Sequence, residues 1–134
     1  MPQQRGFIEI PTIVREHIRK KRMEVGLFQT DVARMFNVSA DCMSYWENNR
    51  SEPQLNYYPL IIEFLGYFPW KFDIETLKGR LKEYRYRHGL SYRNFARMHR
   101  MDETNVKRIE EGRISPLQKT KDKLELLLTN KPLE

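Results

Sequence analysis

An internal repeat constrains the fold of this chain more than any other feature of its sequence. Residues 14–53 align without a gap on residues 77–116, at an offset of 63 positions. The identities include a helix-ending glycine, a small alanine and a turn proline, so residues that end helices and form turns are repeated along with apolar positions. We therefore predict that one structural unit occurs twice in tandem. The identical pairs are Arg22/Arg85, Gly26/Gly89, Leu27/Leu90, Ala33/Ala96, Arg34/Arg97, Met35/Met98, Glu47/Glu110, Arg50/Arg113 and Pro53/Pro116.

Each copy contains two short helical patterns joined by a tight turn. In the first copy, Val32, Ala33 and Phe36 fall on one helical face. The second pattern starts after Ser39, whose hydroxyl can accept a hydrogen bond from the first free amides of a helix. Its Trp46 then points back toward the first helix. Two helices that cross steeply over such a turn predict a helix–turn–helix, whose second helix can enter a groove of DNA.

Flanking patterns supply further helices in each copy. Residues 1–12 are predicted to form an arm, and Thr12 can cap a helix that runs to about Val25, where Gly26 provides the C-cap. Another helix is expected from about Tyr57 or Pro59 to residue 65. Its apolar residues close the first core: Leu60, Ile61, Phe64 and Leu65. Near the other end of the chain, a leucine stripe either closes the second core or forms an interface: Leu124, Leu127 and Leu128.

The segment between the copies, residues 66–73, is a linker rich in aromatic residues. A flexible linker is rich in glycine and serine, whereas this one has four aromatic side chains that would be costly to leave in water. We expect it to pack between the two modules. The 134 residues are thereby divided into a first domain at 1–68 and a second at 69–134. Each is near the smallest size that folds without disulfides or bound metal ions.

The composition excludes several classes of function. A single cysteine, Cys42, cannot form an intrachain disulfide, and the three histidines have no metal-ligand spacing. The chain has no glycine-rich phosphate loop and no Ser-His-Asp order, so we expect neither an enzyme nor a cofactor. No apolar run is long enough to cross a membrane, and the first residues lack a signal peptide. We therefore expect a cytoplasmic protein.

The positive charge is concentrated in the second half. The chain has a formal net charge of +6 and an isoelectric point near 9.5. Residues 1–72 contain 9 Lys+Arg against 8 Asp+Glu, whereas residues 73–134 contain 15 against 10. The second half is therefore expected to supply most of any salt-sensitive affinity for phosphates.

The repeated segments resemble the Xre/Cro-type helix–turn–helix family, the class of the lambda and 434 repressors. The first copy has G-L-x-Q-x-x-x-A at 26–33 and E-N-x-R-x-x-P at 47–53. The resemblance covers about 13–66 and again about 75–128, and it implies an all-α protein with two tandem lambda-repressor-like domains of four or five helices. Phe28 departs from the usual serine or threonine cap, and Tyr92 replaces the glutamine found at Gln29.

The resemblance also implies roles for the charged residues that both copies share. Arg22 with Glu47, and Arg85 with Glu110, correspond to a salt bridge between the first helix and the end of the third. Acid–base chemistry is the alternative reading of such repeated pairs. If the pair is structural and buried, removing Glu47 costs about 3–5 kcal/mol of stability.

Two sets of residues are candidates for DNA contact. Exposed positions of the second motif helix are candidates for reading bases, although Asp41 could instead favour the helix N-terminus electrostatically. Polar and basic residues nearby are candidates for phosphate contact, with Arg34 and Arg97 either contacting phosphate or solvating a helix face; Lys107 fits both sets. The base-reading candidates are Ala40, Asp41, Ser44, Tyr45, Glu103, Thr104, Lys107 and Arg108; the phosphate candidates are Gln29, Asn48, Arg50, Arg34, Arg97 and Arg113.

The sequence therefore predicts a transcriptional regulator that binds specific double-stranded DNA through two tandem modules. Its main alternative is a protein-interaction adaptor, an antitoxin-like or phage-type factor, in which one or both modules bind a protein. A homodimer stays open under either reading, and so does DNA binding by one copy alone.

Overall fold

The computed structural model describes residues 13–129, and regular structure within that range is helical. The all-α prediction is confirmed for this part of the chain. The bounds are α1 Val14–Glu24, α2 Gln29–Phe36, α3 Ala40–Glu47, a 3₁₀ turn Leu55–Tyr57, α4 Tyr58–Leu65, α5 Leu77–His88, α6 Tyr92–His99, α7 Glu103–Glu110 and α8 Gln118–Thr129. The predicted arm and the predicted cap at Thr12 lie outside the described residues, and Ile13 occupies the N-cap position of α1.

The chain divides into two compact units. The described part of the first unit comprises residues 13–53 and Ile61–Trp70, and that of the second comprises Gln54–Leu60 and residues 71–129. This division differs from a single cut at 68/69, because the 3₁₀ turn and the start of α4 belong to the second unit.

The first unit closes around side chains from all of its helices. Phe36 at the end of α2 lies edge-on to Phe64, with ring centroids 5.8 Å apart, and tilted against Trp46 at 6.2 Å. Such aromatic pairs add to the stabilisation from their buried area. The buried apolar residues are Ile18, Val32, Ala33, Phe36, Met43, Trp46, Ile61 and Leu65. The prediction that Leu60 closes this core is wrong: its side chain is 37% exposed, and it lies in the second unit.

The second unit has an equivalent core closed by α8. Leu124 is fully buried, and Leu127 and Leu128 pack partly buried against the same cluster, so the core reading of the leucine stripe is confirmed. The buried members are Leu81, Leu90, Phe95, Ala96, Val106, Ile109 and Leu124. No helix within residues 13–129 combines the length and the apolar character needed to cross a membrane.

Candidate nucleic-acid interface

The two motif turns have the same backbone geometry. Asn37 ends α2 with φ 59°, and Arg100 ends α6 with φ 58°. In each turn the amide after the left-handed residue donates back to the first motif helix, Val38 N to Ala33 O at 2.9 Å and Met101 N to Ala96 O at 2.8 Å. The left-handed residue reverses the chain at once, so only three residues separate the two helices of each motif.

The second helix of each motif starts at a capped end. Ser39 Oγ accepts a hydrogen bond from Cys42 N at 3.0 Å, and Asp102 Oδ2 accepts one from Asn105 N at 3.0 Å. The caps are different residue types that perform the same task, since hydroxyl and carboxylate oxygens both satisfy free amides. Each cap fixes where the exposed first turn of α3 or α7 begins.

A buried ion pair anchors α7 to α5 in the second unit. Arg85 Nε donates to Glu110 Oε1 at 2.7 Å, and Arg85 Nη2 donates to Glu110 Oε2 at 2.5 Å. The two side chains are only 4% and 3% exposed. Arg85 Nη1 also donates to Leu90 O at 2.9 Å. Burial opposes the charge of Arg85, but the hydrogen bonds and attraction of Glu110 outweigh it and raise the pKa of Arg85.

The first unit repeats this arrangement with a slightly more open arginine. Arg22 Nε and Nη2 donate to the two oxygens of Glu47 at 2.7 and 2.8 Å, and Nη1 donates to Leu27 O at 2.9 Å. The side chain of Arg22 is 14% exposed and that of Glu47 is 1% exposed. Bidentate geometry fixes the third helix against the first, which supports a structural role for both pairs over acid–base chemistry.

Gln29 and Tyr92 occupy equivalent positions in the two copies and, although they differ in residue type, both donate a hydrogen bond to the buried glutamate. Gln29 Nε2 donates to Glu47 Oε1 at 3.0 Å, and Tyr92 OH donates to Glu110 Oε2 at 2.9 Å. The Tyr92 ring also covers the guanidinium of Arg85, 4.0 Å from its centroid. Burial, followed by the charge of Glu110, raises the pKa of Tyr92 to about 12. The side chain of Gln29, a phosphate candidate, is therefore directed to the buried carboxylate.

The base-reading candidates surround the start of the second motif helices. All eight are exposed except Ser44, which is half-buried and accepts a hydrogen bond from Asn48 Nδ2 at 3.2 Å. Tyr45 is 44% exposed, and the guanidinium of Arg50 lies 5.8 Å from its ring centroid. Most side chains on the first turns of α3 and α7 are therefore exposed to solvent.

The remaining phosphate candidates are exposed but differ in their neighbours. Arg34 faces Asp31 at 3.6 Å, and Arg113 faces Glu111 at 3.4 Å. Arg97 is exposed on α6. Exposed pairs of this kind are weak, so the charges of Arg34 and Arg113 are only loosely held by their acidic neighbours.

The charge of the two motif faces differs. Residues 28–50 contain 2 basic and 3 acidic residues, whereas the equivalent residues 91–113 contain 6 basic and 4 acidic residues. Two of the basic residues in the second motif, Arg93 and Arg100, are absent from the sequence-based candidates and are fully on the surface. Comparison of the two copies could have identified these two arginines, because the matching residues of the first copy, Thr30 and Asn37, are neutral.

Metal chemistry gains no support from the described residues. Within residues 13–129, no three His, Cys, Asp or Glu side chains are grouped to hold a metal ion. Comparisons with protein-family models, with curated proteins and with solved structures each find no match to this chain. Its function is therefore inferred from its own residues and geometry.

Proposed function

We propose that this protein is a transcriptional regulator that binds specific double-stranded DNA through two tandem, lambda-repressor-like helix–turn–helix modules. The observation that carries the proposal is the repeated anchoring of an exposed helix. In each unit a short turn and a buried Arg–Glu pair hold the third helix of the copy, while its first turns stay exposed. A recognition helix needs this combination, because it must keep its orientation when its side chains meet base edges.

The chemistry of the exposed side chains suits a DNA groove. Arg108 on α7 can donate two hydrogen bonds to guanine, and Glu103 can accept one from the amino group of cytosine. On α3, the methyl group of Ala40 suits a thymine methyl, and Asp41 suits cytosine. Arg50 and Arg113 follow the recognition helices and are suited to phosphates, which position the protein without reading sequence.

A selection from random duplexes tests the proposal. The full chain is incubated with the duplex pool at several salt concentrations, and bound DNA is isolated by gel shift and sequenced. We expect enrichment of one sequence, with an affinity that falls steeply as salt rises. Binding without enrichment, or no binding at low salt, would contradict the proposal.

Two substitutions then show which unit reads bases. Arg108→Ala is expected to relax selection at one position and to cost about 1–3 kcal/mol of binding free energy. Tyr45→Ala tests the first unit in the same way. Lys121→Ala on α8 is the control, since it removes an exposed charge outside both motifs and should leave the selected sequence unchanged.

A protein-interaction adaptor is the second candidate function. Asp41 and Glu103 place a carboxylate in the first turn of both exposed helices, where it would repel the phosphates of DNA and could pair with a basic protein surface. Under this reading the selection yields no enriched duplex, and Asp41→Asn or Glu103→Gln improves non-specific DNA binding without creating specificity.

A further inference from the structure

We propose that the two units contribute unequally to DNA affinity, and that a basic face on the second unit supplies most of the phosphate contacts. This inference rests on the proposed function. The basic face is defined by six exposed residues of α6, α7 and their flanking turns: Arg93, Arg97, Arg100, Lys107, Arg108 and Arg113.

The first arginine of α6, Arg93, lies near the start of α7. Arg93 Nε lies 4.0 Å from Oε1 of Glu103, the first residue of α7. Arg97 follows Arg93 by four positions, so the two side chains share one side of the helix. Arg100 comes next, in the turn between the helices. Arg93 therefore borders the exposed start of α7, where DNA contact is proposed, and Arg97 and Arg100 are exposed next to it along the chain.

The first unit is an internal comparison, because the repeat gives each basic residue a counterpart. Only two of the six counterparts, Arg34 and Arg50, are basic. Arg34 faces Asp31 at 3.6 Å, which is comparable to the distances from Arg93 and Arg113 to their acidic neighbours, so the difference between the units lies in the number of basic residues. In order, the counterparts are Thr30, Arg34, Asn37, Ser44, Tyr45 and Arg50. The same backbone motif thus carries a basic surface in one unit and a largely neutral surface in the other.

The acidic residues on the second face do not reverse this difference. Asp102 is committed to capping α7, and Glu110 is buried against Arg85. Glu103 and Glu111 each lie near an arginine, at 4.0 and 3.4 Å. The pairs of Glu103 and Glu111 are exposed and weak. The six basic residues of this face outnumber the four acidic ones, so a net positive charge governs the approach of DNA.

The difference is measurable as the salt dependence of binding. Each phosphate neutralised by a protein cation contributes about −0.9 to the slope of log affinity against log salt for duplex DNA. Replacing a residue of the basic face that has a neutral first-unit counterpart by that counterpart should therefore make the slope shallower by about 0.9 per lost contact. Replacing an equivalent residue in the first unit should change the slope less.

The test uses the full chain and one fixed duplex, measured by fluorescence anisotropy across salt concentrations. The informative variants are Arg93→Thr with Arg100→Asn, and the matched pair Arg97→Ala and Arg34→Ala. Asparagine suits position 100 because it tolerates the left-handed backbone that Arg100 adopts. We expect the double variant to flatten the slope by about 1.8, and Arg97→Ala to flatten it more than Arg34→Ala does.

Two outcomes separate failure of this inference from failure of the proposed function. Equal losses of slope in Arg97→Ala and Arg34→Ala, with intact DNA binding, would overturn the unequal division and leave the regulator proposal standing. Absence of DNA binding by the unmodified chain would overturn both. Arg97→Lys retains the charge and should keep the slope, so a loss in that variant would show a structural role for the side chain and count against the inference.

Discussion

Replacing Glu110 with alanine removes the acceptor that two side chains of the second unit share. Arg85 donates two hydrogen bonds to this carboxylate and Tyr92 donates a third. After the substitution, the guanidinium keeps its hydrogen bond to Leu90 O but has no counter-charge. Its side chain is 4% exposed, so water cannot replace the lost partner without local opening.

The expected cost follows from that burial. Breaking a buried ion pair by removing one partner costs about 3–5 kcal/mol, because the other charge remains desolvated. For a domain of this size, 1 kcal/mol lowers Tm by about 4–8 °C. Glu110→Ala should therefore lower the Tm of the second unit by at least about 12 °C. Glu47→Ala should cost less, since Arg22 is 14% exposed and reaches solvent more easily.

Two spectroscopic signals, compared with each other, distinguish unfolding of the first unit from unfolding of both units. Both tryptophans, Trp46 and Trp70, lie in the first unit, so their fluorescence follows its unfolding. Far-ultraviolet circular dichroism follows the helices of both. Glu110→Ala is expected to shift the dichroism transition, and Glu47→Ala is expected to shift the fluorescence transition.

Glu111→Ala is the matched control for this prediction. Glu111 is the adjacent residue and is exposed, so its removal should change stability by no more than about 0.5 kcal/mol. If Glu110→Ala destabilises the protein no more than Glu111→Ala does, the reasoning from burial is refuted. The ion pair would then have to be open to solvent in solution.

Two further predictions concern a glycine pair and a histidine. Gly89→Ala should lower the free energy of unfolding by about 1–3 kcal/mol more than Gly26→Ala does. A Cβ at Gly89 would lie 2.8 Å from Leu55 O, whereas a Cβ at Gly26 would meet nothing within 4 Å. Equal shifts of the denaturation midpoint in the two variants would contradict this packing of Leu55 against Gly89. Burial lowers the pKa of His99 from 6.5, so the folded state binds fewer protons than the unfolded state. Stability should therefore fall as pH drops through 6.5, and His99→Gln should flatten this dependence in dichroism melts; an unchanged profile would contradict it.

The helices and their turns were predictable because local residues determine them. Ser39, Ser91 and Asp102 cap helices through contacts with amides three residues ahead. Gly26 adopts the left-handed conformation that a glycine C-cap predicts. Such features depend on chain neighbours, so the order of residues is sufficient to locate them.

The predicted roles of single side chains depended on what they meet in space. Gln29 was expected at a phosphate, yet its amide is bonded to Glu47. Tyr92 looked like a departure from the motif, yet its hydroxyl reaches the equivalent carboxylate. The amide of Gln29 and the phenol of Tyr92 each place a hydrogen-bond donor against the equivalent carboxylate. A sequence alignment compares residue types and does not show this equivalence.

The sequence by itself determined the repeat, the helical class and the positions at which helices start and stop, since these follow from short-range hydrogen bonding and apolar periodicity. Only the tertiary structure decided which unit the segment Gln54–Leu60 joins, because its packing partners, such as Gly89, are about thirty residues away. The tertiary structure also decided that Arg93 borders the start of α7. Both outcomes depend on distances between residues that are remote in the chain, and those distances are set by how the buried side chains pack.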